Sequence, residues 1–214
     1  KLTVRESGVP LAVSLGDGLS TGLFLDQRDN RRWVRECARD ARVLNLFAYT
    51  CAFGVFAALG GARETTNVDL SRTVLARGRE NYGLSGLALE GHRFWARDVL
   101  ELLQRMHRRE ERFDLIVLDP PSYASGKRTR FSAERDYGAL CQRAIEVLAE
   151  GGALLSCCNH QAMSEAFFGR EVADAVARSG RATAPLERLD PPADFPVLGA
   201  GKPHLKSRLV QLLP

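Results

Sequence analysis

Asp119-Pro120-Pro121-Ser122-Tyr123 sets a carboxylate, a stiffened turn and an aromatic ring within five residues. Each proline lacks an N–H and fixes its own φ, and the residue before it is held extended, so two in a row leave the loop little freedom. The Asp119 carboxylate and carbonyl, and then the Tyr123 ring, are thereby presented together. Fixed acceptors beside an aromatic face suit gripping a planar, amine-bearing group for in-line group transfer. Such a transfer draws most of its rate from proximity and orientation. A plain loop is the alternative, and the position of the motif at the end of an apolar strand argues against it.

Three other stretches carry comparable chemistry. Phe47-Ala48-Tyr49-Thr50-Cys51-Ala52-Phe53-Gly54 follows a short apolar strand and is rich in small residues, which lets a backbone approach a ligand closely. It is not a GxGxxG turn, which disfavours a nicotinamide dehydrogenase. Asp69 in Val68-Asp69-Leu70-Ser71 lies about 20 residues after that turn, where a carboxylate commonly accepts a ribose diol. Asp69 and Ser71 could equally cap a helix. Asp98, before Val99, could accept from an adenine amine or cap the following helix.

These residues need a scaffold that gathers strand ends. From Arg42 onward, short apolar runs alternate with helical patterns. Strands are expected at 43–47, 64–68, 92–96, 113–118 and 153–158, and helices at 53–59, 71–82, 99–107, 133–148 and 164–179. Alternation at this spacing implies βαβ units and a mostly parallel sheet, whose ligands bind outside the carboxyl ends of the strands. Residues 1–25 read as a β hairpin, with strands at 1–7 and 9–15 around Gly8-Val9-Pro10 and Gly16-Asp17-Gly18 ending the second, followed by a helix at 29–39. Residues 183–189 and 204–213 read as a final antiparallel pair, and 124–132 as a polar loop. The expected division is a hairpin extension, 1–25, and a main domain, 26–214.

The chain has 214 residues, 45% of them hydrophobic, enough for one sizeable domain. No apolar run reaches the ~20 residues of a membrane span, and no secretory signal is visible. Five cysteines without a CxxC pair fit a reduced, cytoplasmic setting, and no metal constellation stands out. A net charge of +4 permits a nucleic-acid partner without demanding one. The chain opens on Lys1, so a domain ahead of it is conceivable.

Taken together, these motifs resemble a known family. Asp119-Pro120-Pro121 followed by an aromatic resembles the motif of amino-directed and RNA methyltransferases. Thr21-Gly22-Leu23-Phe24-Leu25-Asp26-Gln27-Arg28, Asn45-Leu46-Phe47-Ala48-Tyr49-Thr50 and Asn67-Val68-Asp69-Leu70-Ser71 extend the resemblance over nearly the whole chain. The pattern is similar to the bacterial large-subunit ribosomal RNA methyltransferases, the I type and the K half of the K/L type. The resemblance implies a Rossmann-like, seven-stranded, mostly parallel α/β sheet of a class I methyltransferase with a small N-terminal β hairpin. It implies S-adenosylmethionine as cofactor, and Asp26, Arg28, Asn45, Phe47, Ala48, Tyr49, Thr50, Gly54, Asp69, Leu70, Ser71, Asp98, Val99, Asp119 and Pro120 as the residues around it. Within that set Asp69 takes the ribose, Asp98 the adenine, and Phe47 to Gly54 the methionine part. Family members usually carry an N-terminal RNA-binding domain as well.

Two departures bear on chemistry. Cys51 stands where the family commonly shows glycine. After the fifth strand the chain reads Ser156-Cys157-Cys158-Asn159-His160, whereas 5-methylcytosine members resemble Ser-Cys-Ser there. Carbon-5 methylation needs a thiolate to add at C6 first. Counting from Gly151-Gly152, the nucleophile position falls on Asn159, as in the 7-methylguanine-type branch; a one-residue slip would place Cys158 there. Buried packing is the other reading of the cysteine pair. Asp119, Tyr123 and Asn159 are the candidate catalytic residues. Pro121, Lys127, Arg128, Arg130 and His160 are the candidate substrate contacts, the three cations with Phe131 suiting phosphate and base contacts. The arginines at 105, 108, 109 and 112 are diluted by Glu110 and Glu111 and read as a solvated helix end. The expected activity is methylation of a base of large-subunit ribosomal RNA, guanine N7 ahead of cytosine C5. The rivals are a small-molecule or protein methyltransferase and a non-catalytic RNA-binding module.

Overall fold

The computed structural model describes residues 1–16, 20–125, 130–196 and 204–214. Lys127 and Arg128, and the end of the second hairpin strand expected at Asp17 and Gly18, lie outside the described residues. The fold is α/β, with a seven-stranded, mostly parallel sheet and a separate N-terminal antiparallel hairpin. The chain divides into two compact units, Lys1–Arg97 and Asp98–Pro214.

In the first unit, β1 (Leu2–Glu6) and β2 (Val9–Val13) pair antiparallel through Ser7 and Gly8, both at positive φ. A 3-10 turn at Leu25–Gln27 leads into α1 (Arg28–Cys37). Then come β3 (Arg42–Leu46), α2 (Ala52–Leu59), β4 (Glu64–Asp69), α3 (Arg72–Leu84) and β5 (His92–Ala96). β4 pairs parallel with β3 on one side and β5 on the other. Residues 52–57 of α2 are all buried, so this helix has no polar face and belongs to the interior. Gly60 ends it where an added Cβ would run into the Arg35 carbonyl, so α1 and α2 pass with backbones close. Val9, Leu11 and Val13 of the hairpin share a core with Val55, Phe56, Leu75 and Tyr82. Arg31 of α1 grips Glu6 of β1 through two hydrogen bonds of 2.6 Å, both side chains being buried. Its guanidinium also donates to the Phe24 carbonyl at 2.8 Å.

In the second unit, α4 (Val99–Arg108) precedes β6 (Phe113–Leu118), the short strands β7 (Tyr123–Ser125) and β8 (Arg130–Ser132), and α5 (Ala133–Glu146). β9 (Leu148–Cys158), α6 (Glu165–Ser179), β10 (Glu187–Leu189) and β11 (Lys206–Gln211) complete it. β6 and β9 run parallel, and β11 lies antiparallel between β9 and β10. Leu115 to Leu118, buried on both faces, form the apolar strand expected of a parallel core.

Two expectations need correction. The stretch after Tyr123 is not simply loop, because β7 and β8 pair as an antiparallel ribbon with Tyr123 opposite Ser132. The helix expected to reach residue 148 stops at Glu146, and the next strand already begins at Leu148. A register shift against β6, between Phe113 and Leu115, absorbs the intervening Gly151-Gly152. At Gly152 a Cβ would stand 3.0–3.2 Å from three carbonyl oxygens, so the bulge admits no side chain there without movement.

Candidate active site

In the first unit the site begins with backbone strain. Phe47, Tyr49 and Cys51 all adopt positive φ, at 57°, 47° and 59°. Non-glycine residues rarely do so, at about 1–3 kcal/mol each, and such residues gather where a ligand must be met. The turn is held by its own amides. Ala48 N–H donates to the Val68 carbonyl at 2.8 Å, and Cys51 N–H to the Ala48 carbonyl at 2.7 Å. Tyr49 N–H donates to Asp69 Oδ2 at 2.9 Å.

Asp69 ends β4, and its other oxygen accepts the Ser71 N–H at 2.9 Å. Ser71 in turn caps α3 by accepting the Val74 N–H. The carboxylate therefore ties the end of β4 to the turn after β3. Each oxygen keeps a further lone pair, so this structural duty leaves acceptor capacity for a diol. Leu70 beside it is exposed.

Segment 21–28 is drawn to the same turn. Thr50 Oγ1 donates to the Gly22 carbonyl, and the Tyr49 hydroxyl to the Ser20 carbonyl, each at 2.6 Å. Phe24 packs on the Tyr49 ring at 5.5 Å. Gly22 has φ of +116° and is crowded by the Ala12 carbonyl, which explains glycine there. Asp26 on the 3-10 turn and Arg28 at the start of α1 are both half-buried. Asn45 lies inside β3, 1% exposed, with its amide donating to Asn67 Oδ1 at 3.0 Å. Asn67 continues to the Tyr82 hydroxyl at 3.1 Å. A Cβ on Gly54 would strike both Asn67 and that hydroxyl, so this glycine serves packing. Cys51, fully buried, faces Gly78 of α3. Burial, reinforced by Asp69, pushes its thiol well above the usual range.

In the second unit, Asp98 caps α4 by accepting the Glu101 N–H at 3.1 Å, and Val99 is buried. Asp119 is half-buried at the end of β6, Pro120 is buried and Pro121 exposed. The Ser122 carbonyl accepts the Ala133 N–H at 3.0 Å, which anchors the loop to the start of α5. Consecutive residues after β6 meet consecutive residues after β9. Ser122 Oγ donates to Asn159 Oδ1 at 3.3 Å, and the Tyr123 and His160 rings stand edge to face with centroids 5.4 Å apart. Tyr123 is otherwise exposed and His160 is buried.

Cys158 is also buried, with its thiol donating to Met163 Sδ at 3.6 Å. Burial raises its pKa; the His160 N–H and Lys206 oppose that shift, while Asp119 and Glu165 add to it. Cys157 points toward Ser207 on β11. Among the described residues no group of three or more His, Cys, Asp or Glu side chains could hold a metal ion. No described helix is long and apolar enough to cross a membrane.

Two contributors were not singled out from the sequence. Ser122 stands within the proline motif, where no role was read for it. Lys206 is 1% exposed, and its ammonium donates to the His160 carbonyl at 3.1 Å and the His204 carbonyl at 3.3 Å. Lysine is seldom buried, so a strand-edge lysine ordinarily reads as solvated; its apolar neighbour Leu205 is the faint signal.

The chain resembles proteins already known. A family model described as S-adenosylmethionine-dependent methyltransferase matches residues 2–210. The "Ribosomal RNA large subunit methyltransferase I" of Aeromonas salmonicida is 41% identical over 196 residues, 92% of this chain and 50% of that protein. Its counterpart in Klebsiella pneumoniae is 39% identical over 197 residues, 92% of this chain and 49% of the relative. The chain thus spans about half the length of the curated relatives it matches. The crystal structure of the methyltransferase SMU.776 complexed with SAH superposes with a TM-score of 0.89 at 33% identity, covering 98% of this chain and 55% of that one. With the match running almost end to end, this chain belongs to the S-adenosylmethionine-dependent methyltransferases.

Proposed function

We propose that this chain methylates a base of large-subunit ribosomal RNA at a ring nitrogen of the guanine N7 kind, without covalent cysteine catalysis. One observation carries the choice of chemistry. The residue that meets the proline loop after β9 is Asn159, while Cys158 is buried against Met163 with a raised pKa. A thiol so placed is a poor source of the thiolate that carbon-5 methylation requires. An asparagine amide can still orient a base by hydrogen bonding. The RNA substrate is inferred from the names of the relatives and from Lys127, Arg128 and Arg130 in the basic stretch beside Tyr123. We assign the activity to residues 26–214, with 1–25 as a supporting extension, and place it in the cytoplasm, where its thiols stay reduced.

The residues present suit S-adenosylmethionine. Asp69 retains acceptor capacity for the ribose, and the strained turn of Phe47, Ala48, Tyr49, Thr50 and Cys51 brings backbone toward the methionine part. Asp26 and Arg28 lie on the segment whose Gly22 and Phe24 meet that turn, Leu70 and Ser71 follow the ribose carboxylate, and we assign Asp98 and Val99 to the adenine. Asn45 and Gly54 act by shaping the turn from beneath. Bound S-adenosylmethionine supplies a methyl group on a sulfonium, a chemistry that calls for no metal. The chain's own task is orientation. Asp119 with Pro120 and Pro121 holds the acceptor edge of the base, Tyr123 stacks on its face, and Asn159, oriented by Ser122, fixes its rotation.

The test uses unmodified large-subunit ribosomal RNA and labelled S-adenosylmethionine, with mass-spectrometric mapping of the product. Label should appear on a purine ring nitrogen, and Cys158→Ala should retain turnover within about threefold, a change of under 1 kcal/mol in the barrier. Label on cytosine C5, abolished in Cys158→Ala while SAH binding persists, would overturn the assignment.

A further inference from the structure

His160 is secured at its backbone, while one of its ring nitrogens, Nε2, has no hydrogen-bond partner among the described residues. Its N–H meets the Cys158 sulfur, and its carbonyl accepts from Lys206 Nζ at 3.1 Å and from the Met163 N–H at 3.2 Å. Lys206 lies opposite Cys158 in the β9–β11 pairing, so the ammonium is fixed beside the turn by the sheet itself. The residue is 8% exposed, yet Nε2 is buried without a hydrogen-bond partner among the described residues. A buried polar atom left unpaired lowers stability, and native structures seldom retain one without a use. A buried ammonium that donates to the His160 carbonyl, and to that of His204, is costly to desolvate and fixes the turn firmly. The imidazole stands edge to face with Tyr123, the ring assigned above to stacking, with centroids 5.4 Å apart.

We propose that His160 is a specificity-determining contact, whose Nε2 forms a hydrogen bond to the polar edge of the target nucleobase when the base settles against Tyr123. Lys206 is the positioning residue that keeps this nitrogen in place. The inference rests on the RNA-base reading given above. Nε2 can donate or accept according to tautomer, so the partner is a ring nitrogen, carbonyl or exocyclic amine of the base. A phosphate or a sugar hydroxyl is not the expected partner, because the Tyr123 ring packed against the imidazole selects a planar group.

Three proteins decide the matter: the wild-type chain, His160→Phe, which keeps a ring against Tyr123, and His160→Gln, which returns a polar atom at similar reach. Each is assayed for methyl transfer to unmodified large-subunit ribosomal RNA, for SAH affinity by calorimetry, and for Tm. His160→Phe should lose about tenfold or more in kcat/KM for RNA, with SAH affinity unchanged and Tm equal or higher, because an unpaired polar atom has been removed. His160→Gln should recover most of the lost turnover. If phenylalanine does not fit and the protein fails to fold, His160→Leu takes its place in the comparison. Full RNA turnover in the apolar variant, or equal losses in both variants with a lowered Tm, overturns the role of His160. A wild-type chain that binds SAH but transfers nothing to RNA overturns the RNA reading itself, and this inference with it.

Discussion

Cys51 and Gly78 show how closely the turn after β3 is fitted to its support. Cys51 sits at φ 59° in the position just before α2 and is fully buried, and a Cβ on Gly78 would collide with its sulfur. A strained residue and a missing side chain therefore form one unit. Gly78→Ala should destabilise the protein by about 1–3 kcal/mol through overpacking. Adding Cys51→Gly should restore most of that loss, since it clears the sulfur and relieves the left-handed strain. Chemical denaturation of the two single variants and the double variant measures the coupling, and strict additivity would contradict the pairing. The same fit answers the departure noted in the sequence: cysteine tolerates a position suited to glycine because α3 gives way at Gly78.

At the scale of elements, the hairpin is built into the first unit. The Glu6–Arg31 pair is buried at both ends, and Arg31 also fixes the Phe24 carbonyl, so β1, α1 and segment 21–28 share one guanidinium. Glu6→Ala should cost about 3–5 kcal/mol by leaving that charge buried and unpaired. It should also weaken SAH binding, because Asp26 and Arg28 lie on the segment it holds. A near-wild-type Tm would refute this. The alternating strands and helices were legible because apolar runs such as 113–118 have no other stable home. The ribbon β7–β8 was not, since three-residue strands carry too little periodicity to stand out from a polar loop. The early start of β9 was hidden by Gly151-Gly152, which read as a break but serve as a bulge. Asp69 and Asp98 were legible as carboxylates at strand ends. The structure makes both of them helix-end or turn acceptors as well, so the two roles weighed for each are compatible.

Across the whole molecule, the candidate chemistry gathers at strand ends, and the proposed recognition rests on clustered charge. Ser122–Asn159 and Tyr123–His160 could not be read from the chain, because each joins residues 37 apart through sheet topology alone. With a net charge of only +4, the proposed affinity for RNA would have to come from local clusters rather than a general field. Lys127, Arg128 and Arg130 are the proposed cluster. Changing all three to Ala should weaken RNA binding and reduce the dependence of log K on log salt by roughly 2, the expectation for three lost single-strand phosphate contacts. An unchanged slope in binding titrations across a salt series would remove the cluster from the interface.

Lys206 also sets an order of events. It follows His160 by 46 residues and enters the sheet on β11, the strand that fills the gap between β9 and β10. During synthesis β6, α5, β9 and α6 all leave the ribosome before the ammonium that secures the His160 turn. At roughly 5–20 residues per second the delay is about 2–9 s. Through that interval the turn has its imidazole but not its anchor. An enzyme proposed to act on ribosomal RNA would thus emerge from the ribosome unable to read a base, and gain that capacity only when its late strand closes the sheet.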